Sequence, residues 1–308
     1  MSGFHTAKRK CRFSQEIKLF EARKEKNIPS LIKWTGSKRK QASLIANEIP
    51  PFKRYFEPFL GGGALLYLCA SKNTVASDLY KPLIDLWILI QNEPEKVIDD
   101  YTEKWKQLDV EYRQLQSAGI KNKGGLPKVF YDCRSNFNET QNPLDLNFIM
   151  RTCVNGIVRF NDKGEFNNSF HLSRQGMKPE KFRENVFLWN QRIKEVTFKS
   201  QDYRQTVAEA EKGDFIYFDP PYANSHNRYV KDLDLNLFLE TLEQLNAKSV
   251  LWAVSFDGSR GESYYKAEFP KELYKRKIFL SNGKSSLNNI LNSKKEEVLE
   301  SLYLNFDK

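Results

Sequence analysis

The turn Asp219-Pro220-Pro221-Tyr222 follows the apolar run 215–218 and holds the residues with the clearest chemical character. The Asp219 carboxylate and the Pro220 carbonyl are two hydrogen-bond acceptors, and proline adds no N–H donor of its own. Two acceptors can hold both protons of the exocyclic amine of a base and draw its nitrogen towards a pyramidal, more nucleophilic geometry. Tyr222 adds an aromatic face on which an extruded base can stack. The turn therefore predicts chemistry on a nucleobase amine, and a rigid turn that only ends a strand is the alternative.

A second turn, Gly61-Gly62-Gly63, lies between a predicted strand and a predicted apolar helix within residues 54–70. Glycine lets the backbone turn tightly and approach a ligand closely. Asp78 closes the next predicted strand, where its carboxylate can accept hydrogen bonds from ribose hydroxyls. The two features together predict a nucleoside-cofactor site. They match neither the G-x-G-x-x-G pattern nor a P-loop, which argues against NAD and against ATP.

Strands and helices alternate over most of the chain, which predicts an α/β fold with a mainly parallel sheet. Residues 95–185 differ, because they are mostly helical with a loop-rich tip at 159–176 and are typical of an inserted domain. Ligands of parallel sheets bind at the carboxyl ends of the strands, where Asp78 and Asp219 lie. The predicted strands outside 54–70 are 73–79, 195–200, 214–219, 249–256, 275–281 and 296–306, and the predicted helices include 82–91, 203–212 and 234–247.

Five motifs follow one another in the order of a known family. They are KWTGSK at 33–38, FEPFLGGG at 56–63, SDL at 77–79, the signature R-x-N-x-x-G-x-F-N, matched by Arg159, Asn161, Gly164, Phe166 and Asn167, and DPPY at 219–222. In this order they resemble the S-adenosylmethionine-dependent adenine-N6 DNA methyltransferases of the Dam and type II restriction–modification kind, the D12 class with alpha motif order. A related N-P-P-Y motif serves protein-glutamine methylases, so the aspartate favours a nucleobase substrate.

The resemblance implies a Rossmann-like methyltransferase fold that binds S-adenosyl-L-methionine and releases S-adenosylhomocysteine, with no metal. Lys38 would pair with the carboxylate of the cofactor, Asp78 would bind its ribose, and Asp202 would approach its adenine ring. Asp219, Pro220 and Tyr222 would form the catalytic turn. The full set of implied cofactor residues is Trp34, Lys38, Phe59, Gly61, Gly63, Asp78 and Asp202.

The resemblance also implies double-stranded DNA as the partner and a division into regions. Residues 1–30 would be a basic extension, 31–94 and 186–308 the catalytic domain, and 95–185 an inserted target-recognition domain. Asn168 and His171 are further candidates for contacts to bases or phosphates. The residues predicted to bind DNA are Lys33, Arg151, Arg159, Asn161, Asn167 and Arg174.

The composition agrees with a polyanion partner. The net charge is +10, and residues 1–40 alone hold 12 Lys or Arg against 3 Asp or Glu, so the positive charge is concentrated at one end. The four cysteines are widely spaced and predict neither a zinc site nor a disulfide framework. No apolar run has the roughly 20 residues of a membrane span. These features favour the cytoplasm of a bacterial or phage-infected cell, where a restriction endonuclease could accompany the enzyme.

Three other functions agree with parts of the pattern. The catalytic turn alone does not separate adenine in DNA from adenine in RNA. A nucleic-acid-binding protein without catalysis could keep the same fold, although the intact acids and glycines of the motifs argue against it. The basic leader could instead bind a membrane surface, but no convincing apolar helix face accompanies it.

Overall fold

The structure is a computed structural model that describes residues 28–117, 126–221, 233–256, 259–260, 263–264, 269–281 and 299–308. Residues 1–27 of the basic extension lie outside the described residues. The predicted catalytic Tyr222 and the first part of the predicted last strand, residues 296–298, lie outside them as well.

Across the described residues, seven strands form one sheet in the order β3-β2-β1-β4-β5-β9-β8. The first five strands of that order are parallel, and β9 runs antiparallel between β5 and β8. This is the mainly parallel α/β sheet that the alternating pattern predicts. The strands are β1 (Tyr55–Glu57), β2 (Thr74–Asp78), β3 (Thr197–Ser200), β4 (Phe215–Phe218), β5 (Leu251–Phe256), β8 (Arg276–Ser281) and β9 (Leu299–Leu304), and a separate two-stranded ribbon pairs β6 (Ser259–Arg260) with β7 (Ser263–Tyr264).

The helices fall into two groups along the chain. Those that alternate with the strands are α1 (Ala42–Glu48), α2 (Ala64–Cys69), α3 (Lys81–Asn92), α8 (Tyr203–Val207) and α9 (Leu235–Ala247). Those that cover the predicted insertion, called the inserted helices below, are α4 (Pro94–Ser117), α5 (Lys128–Thr140), α6 (Pro143–Thr152) and α7 (Pro179–Ile193). The loop that joins α6 to α7, residues 153–178, contains the signature residues and is called the signature loop below.

The helix predicted over 203–212 is wrong in its length, because α8 ends at Val207. The Asp214 carboxylate accepts a hydrogen bond from the Glu211 N–H at 3.0 Å and so folds residues 211–214 into a turn. Arg54 donates to the same buried carboxylate at 2.6 Å. This ion pair fixes the entry into β4, the strand that leads to the Asp219 turn.

Large aromatic side chains fill the core on both faces of the sheet. On one face Trp87 of α3 packs against Trp189 of α7, with ring centres 4.8 Å apart. On the other face Phe218 of β4 packs edge-on against Phe238 of α9 at 5.3 Å. Each such fully buried side chain stabilises the fold by roughly 1.5–3 kcal/mol. The inserted helices share the first of these cores, which therefore links them to the sheet that carries the candidate site.

Candidate active site

The carboxyl ends of β1, β2 and β4 open into one cavity. Asp78 is the last residue of β2, and Asp219 comes directly after β4. Because parallel neighbours end at the same edge of a sheet, the fold brings these acids to the glycine turn that follows β1. Trp34, Lys38, Phe59, Gly61, Gly63, Asp78 and Asp202, which the family resemblance assigns to the cofactor, all line this cavity together with Asp219.

The glycine turn leaves no room for side chains at its two ends. Gly61 has φ +47°, and a Cβ atom there would lie 2.8 Å from Cδ1 of Trp34. Gly63 has φ +63°, and its Cβ atom would lie 2.9 Å from Cζ2 of Trp87. The indole N–H of Trp87 donates to the Gly61 carbonyl at 3.2 Å. The turn is therefore held between two tryptophans in a conformation that only glycine adopts without strain.

Asp78 ties the glycine turn to the end of β2. Its two carboxylate oxygens accept hydrogen bonds from the backbone N–H groups of Gly61 and Tyr80, each at 3.0 Å. Burial raises the pKa of Asp78, and these backbone hydrogen bonds oppose the rise. A carboxylate has about four lone-pair sites, so Asp78 keeps acceptor capacity for a further donor in the cavity.

Asp202 and Phe59 form another part of the wall. Asp202 is the N-cap of α8, where its Oδ1 atom accepts from the Arg204 N–H at 3.0 Å and from Arg204 Nε at 2.8 Å. The Phe59 ring stacks on Tyr203, with ring centres 5.2 Å apart. The exposed guanidinium of Arg204 thus holds the Asp202 carboxylate at the cavity.

Lys38 and Asp219 form a direct ion pair. Lys38 Nζ lies 2.7 Å from Asp219 Oδ1, and the two side chains are only 6% and 20% exposed. Lys38 also donates to the Gly36 carbonyl at 3.2 Å. The sequence pattern separates these residues by 181 positions and gives no sign of the pairing. The lysine predicted to hold a ligand carboxylate therefore also contacts the acid of the predicted catalytic turn.

Glu57 is a second buried acid beside Asp219 that the sequence reasoning missed. It ends β1 with 3% of its surface exposed, and the Tyr55 hydroxyl donates to its Oε2 atom at 2.8 Å. Burial raises the pKa of Glu57 to about 8, the negative charge of Asp219 adds to the rise, and the hydrogen bond from Tyr55 opposes it. An acid inside the apolar run YFEPF was the available signal.

Three of the predicted DNA-binding residues present exposed cations: Lys33, Arg159 and Arg174. Desolvation lowers the pKa of Lys33, and the positive charges of Arg151, Arg39 and Arg174 lower it further. No acid of the described ranges lies within ion-pair distance of Lys33, Arg39 or Arg174. Cations that face one another in this way form a surface that favours an anion.

Arg151 corrects the sequence-based prediction, because its side chain is buried rather than available to DNA. The guanidinium donates to the backbone carbonyls of Ser30, at 3.0 Å, and of Leu31, and it lies over the Phe182 ring at 4.8 Å. Burial lowers its pKa to about 10. These contacts give Arg151 a structural role, because they hold residues 30 and 31 against helix α6 of the inserted helices.

The amide side chains of the signature loop largely bond within the loop. The Asn167 side-chain oxygen accepts a hydrogen bond from exposed Arg159 Nε at 2.9 Å, so the two side chains lie together on the outer side of the loop. The Asn161 side chain accepts from two backbone N–H groups and closes the 161–165 turn. Asn168 is buried and donates to the carbonyls of Val154 and Ile157, which removes it from the candidates for DNA contact. His171 is half-buried, with Nδ1 3.3 Å from the Ser173 N–H.

Among the described residues, no group of three or more His, Cys, Asp or Glu could hold a metal ion. In the same part of the chain, no helix is long and apolar enough to cross a membrane.

The sheet order and the cavity at the carboxyl ends of the parallel strands are those of a Rossmann-like methyltransferase fold. The family model for "D12 class N6 adenine-specific DNA methyltransferase" matches residues 34–297. Since this match spans most of the sequence, the chain belongs to the D12 class of N6 adenine-specific DNA methyltransferases.

Named relatives agree with the family. The type II methyltransferase M1.LlaDCHI of Lactococcus lactis subsp. cremoris is 30% identical over 200 residues, which are 64% of this chain and 66% of that enzyme. The type II methyltransferase M.MjaIII of Methanocaldococcus jannaschii is 26% identical over 273 residues, 77% of this chain and 89% of that enzyme. A DNA adenine methylase of Serratia marcescens is 27% identical and covers 63% of this chain and 67% of its own length. Among solved structures, an rRNA methyltransferase of Streptomyces viridochromogenes aligns over 86% of this chain and 83% of its own at 11% identity, with a TM-score of 0.31.

Proposed function

We propose that this chain transfers a methyl group from S-adenosyl-L-methionine to N6 of an adenine within a short specific sequence of double-stranded DNA. One observation carries the proposal. Asp219, the acid of the predicted amine-binding turn, opens into the cavity that all seven predicted cofactor residues line. A methyl donor and a base amine could therefore meet in one place, and positioning two reactants supplies much of the rate gain in such transfers.

The donor set of the cavity fits S-adenosyl-L-methionine. Gly61 and Gly63 line the cavity, and because glycine has no side chain a ligand can approach their backbone closely. Asp78 has lone pairs for ribose hydroxyls, Asp202 offers a carboxylate for the adenine amine, and Lys38 offers a cation for the carboxylate. Bound there, the cofactor would supply a methyl group made electrophilic by a positively charged sulfur.

A Gly61→Ala substitution is expected to weaken binding of S-adenosylhomocysteine at least about tenfold. The new methyl group must displace the Trp34 ring, and the positive φ adds strain of about 1–2 kcal/mol. Isothermal titration calorimetry measures the affinity. Gly164→Ala is the matched control, because Gly164 also has a positive φ but no atom lies within 4 Å of its Cβ position. Equal affinities for the Gly61 variant and the wild-type chain would contradict the expectation.

The chain's own residues hold the adenine in the proposed reaction. Asp219 and the Pro220 carbonyl accept hydrogen bonds from the two N6–H groups, which raises the electron density available on nitrogen. Asp219 need not remove a proton before the methyl group arrives, and the methylated amine then loses one N6 proton to become neutral. Asp219 is only 20% exposed, so the base must leave the DNA stack to reach it. Lys38 has three N–H donors and can contact Asp219 and a ligand carboxylate together.

The exposed cations at Lys33 and Arg174 are expected to contact DNA phosphates. In Lys33→Ala and Arg174→Ala variants, the slope of the logarithm of DNA affinity against the logarithm of salt concentration should fall by about 0.9 for each phosphate that the variant no longer neutralises. Fluorescence anisotropy with a labelled duplex measures the slope. Lys248→Ala is the control, because exposed Lys248 lies just before the amino-terminal end of β5, whereas the cavity lies at the carboxyl ends of the strands. The assignment fails if all three variants keep the wild-type slope.

The substrate is tested by transfer of tritiated methyl groups to DNA and to RNA in parallel. We expect label in N6-methyladenine of duplex DNA, and label in RNA alone would replace DNA as the substrate. Methylation-sensitive long-read sequencing of DNA from cells that express the chain then reports the sequence context. A single short motif methylated at adenine supports the role of a modification enzyme in a restriction–modification system or of an orphan or phage methylase. The presence of a restriction endonuclease that cuts the same motif would distinguish these roles.

A further inference from the structure

The signature loop has two faces with different partners. Arg159 is exposed, whereas its neighbours Val158 and Phe160 are buried. Phe160 pairs with Phe166 across the loop in an isolated antiparallel bridge, so the 159–167 segment has the side-to-side alternation of a strand. Arg159 and the paired Asn167 lie on the outer side, where DNA is proposed to bind. Phe160 points to the inner side.

Phe160 reaches the cofactor cavity. Among the described residues of the inserted region 95–185, it alone lines that cavity. Its ring contacts Tyr80 edge-on at 5.4 Å, and the Tyr80 ring lies 5.8 Å from Trp34. A second link lies beside it, because the Thr35 hydroxyl donates to the Val158 carbonyl at 3.4 Å. The loop that carries Arg159 is thus anchored on the residues that line the cavity.

We propose that Phe160 is a positioning residue that couples cofactor binding to DNA binding. This inference rests on the proposed function and adds a residue that neither the motifs nor the family match assigns. A ligand that packs against Phe160 favours the loop conformation seen here, in which Arg159 and Asn167 face outward. DNA held by that same conformation favours the ligand in return, and the two effects must be equal because binding free energies are reciprocal.

Two leucine substitutions separate this role from loop stability. Phe160→Leu keeps an apolar side chain but removes the ring that meets Tyr80. Phe170→Leu is the matched control, because Phe170 is also a buried ring of the signature loop but packs against Phe130 and Tyr112, away from the cavity. Thermal unfolding of both variants reports whether each retains the fold.

The measurement is the affinity for S-adenosylhomocysteine by calorimetry, with and without a duplex that contains the motif found by sequencing. In the wild-type chain and the Phe170 variant we expect the duplex to raise the affinity by about 5- to 150-fold. In Phe160→Leu the ratio of the S-adenosylhomocysteine affinity with the duplex to that without it should fall to near one. Each ligand should still bind when the other is absent. An unchanged ratio in Phe160→Leu overturns the inference, as does an equal loss in both variants. If the wild-type chain binds no S-adenosylhomocysteine, it is the proposed function that fails, and the inference falls with it.

Discussion

Replacing Asp219 with alanine is expected to reduce methyl transfer to DNA by at least about 10²–10³-fold, the usual loss when one preorganised polar partner of a reacting group is removed. The side chain is the only charged acceptor of the predicted amine-binding turn. Affinity for S-adenosylhomocysteine should change much less, because the predicted ribose and adenine contacts at Asp78 and Asp202 remain. Single-turnover transfer of a tritiated methyl group and calorimetry measure the two quantities.

The ion pair between Lys38 and Asp219 makes a control necessary. In the alanine variant the buried charge of Lys38 loses its partner, which can destabilise the site by itself. Asp219→Asn keeps the shape and one acceptor oxygen but removes the charge. Asp234→Ala removes a different carboxylate that lines the same cavity and caps α9, so it should cost about 1 kcal/mol of stability and leave transfer intact. Wild-type rates in Asp219→Ala would refute the catalytic role. A complete loss of cofactor affinity in the same variant would reassign Asp219 to cofactor binding.

The buried acid Glu57 is expected to make the fold less stable as the pH rises. Its pKa in the folded chain is about 8, against an ordinary value of 4.5. Between these values the folded chain holds a proton that the unfolded chain has lost. The contribution of Glu57 to the free energy of unfolding is therefore complete below about pH 4.5 and is lost as the pH rises through 8. Over this pH range the free energy of unfolding falls by at most about 5 kcal/mol because of Glu57.

Glu57→Gln should remove this dependence, because the amide oxygen can still accept from Tyr55 but the side chain no longer titrates. Urea unfolding at several pH values from 5 to 9 gives the slope for each variant. Glu48→Gln is the control: burial alone would raise the pKa of Glu48, but hydrogen bonds from Arg276 and Lys308 hold it below its ordinary value, so it does not titrate in this range. The expectation fails if the wild-type chain and Glu57→Gln have the same slope between pH 5 and 8.

The sequence predicted best the positions of residues that close strands. It placed Asp78 and Asp219 at the cavity because an acid that closes an apolar strand lies at the carboxyl ends of a parallel sheet, where cavities form. The glycines that follow a predicted strand predicted the tight turn, because glycine adopts a positive φ without strain. The strands and the inserted helical region were likewise predicted from local pattern alone, since period and composition are local properties.

The sequence predicted least where a side chain has a distant partner. Arg151 was assigned to DNA from its residue type, but its acceptors are carbonyls about 120 positions away. The contact between Lys38 and Asp219 and the burial of Glu57 arise from the same cause, because only the folded chain decides which polar groups leave water. The length of α8 was overestimated because Asp214 closes a turn that helix propensity does not register.

The place of β9 in the sheet has a consequence for synthesis on the ribosome. Strand β9 is the hydrogen-bonded neighbour of both β5 and β8, yet it is made after them. While residues 299–304 are still inside the exit tunnel, β5 has an open edge, and an open edge is a template for pairing with other chains. Translation pauses late in the message, or truncation before residue 299, should therefore favour aggregation over folding even though every residue of the cavity has already been synthesised.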